Sequence, residues 1–88
     1  MYFTYILYSA KLDKYYIGST DNLERRLKEH NRGKSNFTRT GIPWSLVYSE
    51  TYETRQEAYH REMKIKNRKN KEYIEKLIHS KQTEHPVL

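Results

Sequence analysis

The sequence predicts an α+β fold, a small three-stranded antiparallel sheet flanked by helices in the order ββαβαα. Two aromatic, β-favouring runs, YFTYILYS at 2–9 and YYIGS at 15–19, are joined by the polar KLDK at 11–14, which is the pattern of a hairpin. WSLVYSETY at 44–52 alternates as a third strand. The segments between and after these runs place apolar residues at helical spacing. Eighty-eight residues suit one such domain, whose core is too shallow to hold a polar site far from the surface.

In the first helix Leu23 and Leu27 lie one turn apart among charged residues; Thr20 or Asp21 can cap it, and it ends near Asn31 and Gly33. RGKSNFTRTGIP at 32–43 has no sustained period and reads as a basic loop. After the third strand, Thr54 with Glu57 three residues later resembles a capping box that opens a helix through Asn67. A last helix over 70–79 carries Tyr73, Ile74, Leu77 and Ile78 as its apolar side. The domain is expected over 1–79, with 80–88 as a flexible tail.

Composition narrows the functional classes. The chain has no cysteine, so neither a disulfide partner nor a thiolate metal site is expected, in keeping with a reducing compartment. No apolar run reaches the length of a membrane span, and MYFTYILYS lacks the basic start of a secretory signal, so the reading is a soluble, cytoplasmic protein with no membrane partner. Seventeen Lys and Arg against eleven Asp and Glu leave a formal charge of +6, which favours a polyanionic partner, nucleic acid first. Nine tyrosines suit both strands and stacking on bases.

Some residues sit where packing alone does not require them. Arg26 and His30 are i and i+4 on the first helix, beside the leucine stripe. Ala58, Glu62 and Ile65 share one face of the later helix, so Glu62 interrupts an inward stripe. A carboxylate there needs a neighbouring cation, either a Lys or Arg ion pair or a metal ion. Tyr16 follows the hairpin turn and Tyr5 lies on the partner strand, so antiparallel pairing brings two phenols near each other. Gly18, just past Tyr16, permits an unusual backbone angle or a close approach by a phosphate.

Taken in order, these residues resemble the GIY-YIG endonuclease family, from about Tyr2 to Leu77. Phe3-Thr4-Tyr5 stands where the family has Gly-Ile-Tyr, and Tyr16-Ile17-Gly18 is the second half of its motif. Arg26 and His30 match the family's arginine and its histidine or tyrosine one turn later, and EAYHREMKIK at 57–66 resembles the helix of its metal-binding glutamate, here Glu62. The chain departs from the family in the FTY triplet, in Ser19 where many relatives carry lysine, and in Ile74 where some carry asparagine. The pattern is nearest to the small single-domain members.

The resemblance implies hydrolysis of phosphodiester bonds in DNA, with RNA as an alternative partner. Its implied catalytic set is Tyr5, Tyr16, Arg26, His30 and Glu62, with Glu62 holding one divalent ion, Mg²⁺ or Mn²⁺. Arg26 suits the phosphate oxygens because its planar guanidinium forms paired hydrogen bonds. Tyr5 is the expected base and Tyr16 the group that orients water or phosphate. A phenol with a pKa of about 10 is a poor base at neutral pH, so Arg26 or the metal must favour the phenolate, or His30 must take its proton. Gly18, Ser19, Arg25, Lys28, Arg32, Lys34, Arg39, Lys66 and Arg68 are expected to contact the nucleic acid, joined by Lys64, Lys69 and Lys71 as positioning charges. A nucleic-acid-binding module with this fold and weak or no turnover is the alternative these residues leave open.

Overall fold

A computed structural model describes residues 1–68 and 70–83; Lys69 and 84–88 lie outside the described residues. The elements run β1 (Tyr2–Ser9), β2 (Lys14–Thr20), α1 (Leu23–Asn31), a short 3₁₀ turn (Arg39–Gly41), β3 (Trp44–Tyr52), α2 (Arg55–Arg68) and α3 (Lys71–Thr83). This is the expected ββαβαα order, in one antiparallel sheet with β1 at its centre and β2 and β3 at its edges.

The helices cover both faces of the sheet. Tyr5 and Leu7 of β1 pack with Tyr16, Trp44, Ile42 and the α1 residues Leu23 and Leu27. Ile6 and Ile17 turn the other way, onto Ile65 of α2 and Ile74 of α3, with Tyr73, Leu77 and Ile78 alongside. The period-two alternation of side chains along each strand therefore builds two small cores back to back.

Several local features refine the expectations. The N-cap of α1 is Asn22, whose side chain accepts from the Arg25 amide at 3.0 Å, rather than Thr20 or Asp21. Thr20 Oγ1 instead accepts from the Asn22 amide, and Asp21 pairs with Arg25 at 2.7 Å, which leaves the cap to the next polar residue. At the other end Gly33 takes a φ of +80°, while its amide donates to the His30 carbonyl and the Lys34 amide to the Glu29 carbonyl, closing the helix in a Schellman motif.

In β3 the register slips between Ile6 and Leu7, which face Tyr48 and Leu46, so Val47 is an extra residue. The bulge lets both Val47 and Tyr48 reach the α2 and α3 core, which explains the imperfect alternation of this strand. Thr54 and Glu57 form the expected capping box, each side chain bonded to the other's amide. α3 is capped by Asn70 and continues through Thr83, so 80–83 belong to the helix and not to a tail; Ser80 supports it by donating to the Leu77 carbonyl at 2.9 Å. Among the described residues no helix is long and apolar enough to cross a membrane.

Candidate active site

Register places the two phenols. Tyr5 pairs with Gly18 and Leu7 with Tyr16, so Tyr5 and Tyr16 are diagonal neighbours on one face of the sheet, with ring centres 6.4 Å apart. The space over Gly18 belongs to Tyr5 and not to a phosphate: a Cβ there would come within 2.5 Å of the Tyr5 hydroxyl oxygen. α1 crosses the same face and inserts His30, which is fully buried. Its Nε2 lies 3.1 Å from the Tyr5 hydroxyl oxygen, and its ring stands edge-on to Tyr16 at 4.8 Å between centres.

Arg26, one turn earlier on α1, reaches Tyr5 and donates to Glu29 at 3.0 Å. Partial burial opposes its charge, but the pull of Tyr5 and the hydrogen bond to Glu29 outweigh burial and hold the guanidinium firmly protonated. Burial is also the main influence on the other two groups. It pushes the Tyr5 phenol up to about 12, against the lowering pull of Arg26. It pushes His30 down to about 4, helped by the Arg26 charge and opposed by Glu29. At neutral pH the pair is thus an un-ionised phenol against an un-ionised imidazole.

Glu62 approaches from α2, on the far side of edge strand β2. It is buried, with Oε1 accepting from Ser19 at 2.8 Å and Oε2 paired to Lys66 Nζ at 2.7 Å. Lys66 Nζ also stands 6.0 Å from the centre of the Tyr16 ring, so it links this carboxylate to the tyrosine face. Glu62 adds to the upward shift of Tyr5, which places its charge within electrostatic reach of the phenol. Among the described residues no three His, Asp or Glu side chains converge into a metal cage.

The other cations divide into two sets. Lys28, Arg32 and Lys34 are exposed on and after α1, with no ion-pair partner among the described residues. Several of the remainder are engaged: Arg25 with Asp21 and Glu29, Arg39 Nε with the Gly33 carbonyl, Arg68 over the Tyr73 ring, and Lys71 with Asp13 of the hairpin turn. Lys64 is exposed, and Lys69 lies outside the described residues.

Thr38 is a site residue that the sequence does not single out. It is fully buried, and its Oγ1 lies 2.8 Å from His30 Nδ1. Trp44 Nε1 donates to its carbonyl at 2.6 Å, and Asn31 clasps both the amide and the carbonyl of Trp44. The segment expected as a basic loop is therefore tied down on its inner side. On its outer side Phe37 is 89% exposed.

Residues 1–76 match the family model of the GIY-YIG catalytic domain. The chain belongs to the GIY-YIG family. Similar proteins include the UPF0213 protein BLi00048/BL00536 of Bacillus licheniformis, 44% identical over 78 residues that cover 84% of this chain and 79% of the relative. The UPF0213 protein YazA of Bacillus subtilis is 36% identical over 92% of this chain and 85% of its own length. The solution NMR structure of the UPF0213 protein BH0048 from Bacillus halodurans superposes with a TM-score of 0.57 at 30% identity, covering 92% of this chain and 86% of that one. The two halves of the GIY-YIG motif are thus the paired strands that carry Tyr5 and Tyr16.

Proposed function

We propose that this GIY-YIG domain hydrolyses phosphodiester bonds in DNA, using Tyr5, Tyr16, Arg26, His30 and Glu62 with one divalent ion. The contact between the Tyr5 hydroxyl and His30 Nε2, beside the Arg26 guanidinium, carries this reading. Arg26 binds oxygens of the phosphodiester and stabilises the charge that builds on them during attack. A water oxygen forms the new bond to phosphorus while its proton passes to the Tyr5 oxygen and the Tyr5 proton passes to His30 Nε2. The electrons of the breaking P–O bond leave with the departing oxygen, which takes a proton from solvent. A phenol held near 12 does not ionise at rest, which favours this coupled transfer over a standing phenolate. The negative phosphate beside Arg26 offsets part of the charge that depresses His30, so substrate binding itself makes His30 a better acceptor. Tyr16, edge-on to His30, walls the site and orients the water or phosphate.

Glu62 is the residue that would hold Mg²⁺ or Mn²⁺. Its carboxylate fits: a buried, hard-oxygen donor, with no group of three His, Asp or Glu side chains among the described residues, suits a single ion that keeps most of its waters, and Lys66, now paired with it, would have to yield. When bound, the ion supplies Lewis-acid stabilisation of the departing oxygen. Lys28, Arg32 and Lys34 lead the expected backbone contacts, with Arg25, Arg39 and Arg68 able to join by exchanging their present partners. A binding module with weak or no turnover is the second reading, favoured by the Lys66 ammonium that already neutralises Glu62.

Supercoiled, branched and single-stranded DNA incubated with Mg²⁺, with Mn²⁺ and with chelator test the proposal. Cleavage that needs metal and disappears in Glu62→Gln is expected. Binding without cleavage under every condition would favour the second reading, and full activity of Glu62→Gln would sink the assignment of Glu62.

A further inference from the structure

The two nitrogens of His30 face two hydroxyls, Tyr5 at 3.1 Å and Thr38 at 2.8 Å. A neutral imidazole has one N–H and one lone pair, so the two contacts must run in opposite senses. Both ends of the chain of contacts select the same sense. At the outer end the Arg26 guanidinium, which can only donate, acts electrostatically on the Tyr5 oxygen, and this turns the Tyr5 proton toward His30 Nε2. At the inner end the Ser35 carbonyl lies 3.5 Å from Thr38 Oγ1, an acceptor for the threonine proton that frees Oγ1 to receive from Nδ1.

We propose that Thr38 is a positioning residue, which fixes His30 in the Nδ1–H tautomer and thereby makes the Tyr5 oxygen a proton acceptor toward the substrate. In the other tautomer Nε2–H would donate into the Tyr5 oxygen, and the Tyr5 proton would turn toward the substrate. The phenol would then donate to the phosphate and could not take a proton from water by this route. Thr38 is well mounted for the task. Its amide donates to Ser35 at 3.2 Å, its carbonyl accepts from the Trp44 indole, and its side chain is closed off from water, so no solvent molecule competes for Nδ1. This consequence for chemistry rests on the hydrolysis reading above; the tautomer itself does not.

The test is ¹⁵N NMR of histidine-labelled protein at pH 7, correlating each ring nitrogen with the carbon-bound ring protons, on wild type, Thr38→Val and Thr38→Ser. Wild type is expected to show protonated Nδ1 and unprotonated Nε2 at His30. Thr38→Val, which keeps the shape and removes the hydroxyl, is expected to lose that pattern, and Thr38→Ser to keep it. Cleavage should fall by roughly tenfold or more in the valine variant, the order of a general-base contribution, and recover in the serine variant. An Nε2–H tautomer in wild type overturns the proposal even if the valine variant fails to fold. An unchanged tautomer, or unchanged cleavage, in folded Thr38→Val overturns it as well. Absence of cleavage by wild type on every substrate would sink the hydrolysis reading and, with it, the proposed role toward substrate, while the NMR result would still decide the tautomer.

Discussion

The Tyr5 phenol lies over Gly18, its partner across the hairpin, so closely that a Cβ at residue 18 would meet the hydroxyl oxygen at 2.5 Å and Cζ at 2.7 Å. The ring is rigid and buried, with no flexible end to bend away. Gly18→Ala should therefore push Tyr5 off His30 and destabilise the fold by about 1–3 kcal/mol, the usual range for overpacking. Urea unfolding measures the stability and DNA cleavage reports the lost contact. Unchanged values for both would mean that the ring has room to yield.

Burial of un-ionised His30 predicts a pH dependence of stability. The folded-state pKa is depressed to about 4 from the ordinary imidazole value of 6.5, so between those values the unfolded chain binds more protons than the folded one. Stability then falls as pH drops, by about 2 kcal/mol between pH 8 and pH 5 from this group alone. The carboxylates shifted by ion pairs, Asp13, Asp21, Glu29 and Glu50, have lowered values and lose their share at more acidic pH. Urea titrations at the two pH values should show the loss in wild type and little of it in His30→Gln. An equal loss in both would place the effect elsewhere.

Lys66 is paired with the carboxylate of Glu62, the residue proposed to hold the metal ion. The lysine is 41% exposed, so its hold on Glu62 is modest, about 0.5–1 kcal/mol for a solvent-screened pair. Removing it in Lys66→Ala should raise Mn²⁺ affinity roughly two- to fivefold, the factor that this energy implies. Titration calorimetry, or the free Mn²⁺ signal in electron paramagnetic resonance, gives the value, with Glu62→Gln as the variant that binds least. Weaker Mn²⁺ binding in Lys66→Ala would mean that the lysine helps to build the site and does not compete for it.

Much of this architecture is legible in local sequence because it depends on local physics. The hairpin, the strand from Trp44 to Tyr52 and the Thr54 to Glu57 box are set by periods and spacings of a few residues. The inward position of Glu62 follows from its place between Ala58 and Ile65, and Lys66 one turn later is the partner that helical spacing offers. Thr38 is different. It lies among Ser, Asn and Arg in a basic segment, and its role comes from a contact with His30 that only the folded course of 32–43 creates. The slip to Asn22 as N-cap is of a third kind: Thr20, Asp21 and Asn22 can all cap, and competition from Arg25 and the Asn22 amide decides among them.

The cations without an ion pair among the described residues make the last prediction. Arg32 and Lys34 follow α1 just beyond His30 and are exposed, so a nucleic acid reaching Arg26 can neutralise both at no cost in broken ion pairs. Lys71, by contrast, is held to Asp13 at 2.8 Å on the hairpin turn. Each phosphate contact on duplex DNA contributes roughly −0.9 to the slope of log affinity against log salt. Replacing Arg32 and Lys34 by alanine should flatten that slope by about two contacts' worth and weaken binding to all sequences alike, because phosphate contacts position without reading bases. Lys71→Ala should leave it nearly unchanged. Fluorescence anisotropy at several salt concentrations, with chelator to prevent cleavage, makes the comparison. An equal effect of Lys71→Ala would show that only net charge attracts the DNA, and a slope unmoved by the double variant would take the nucleic acid off this face.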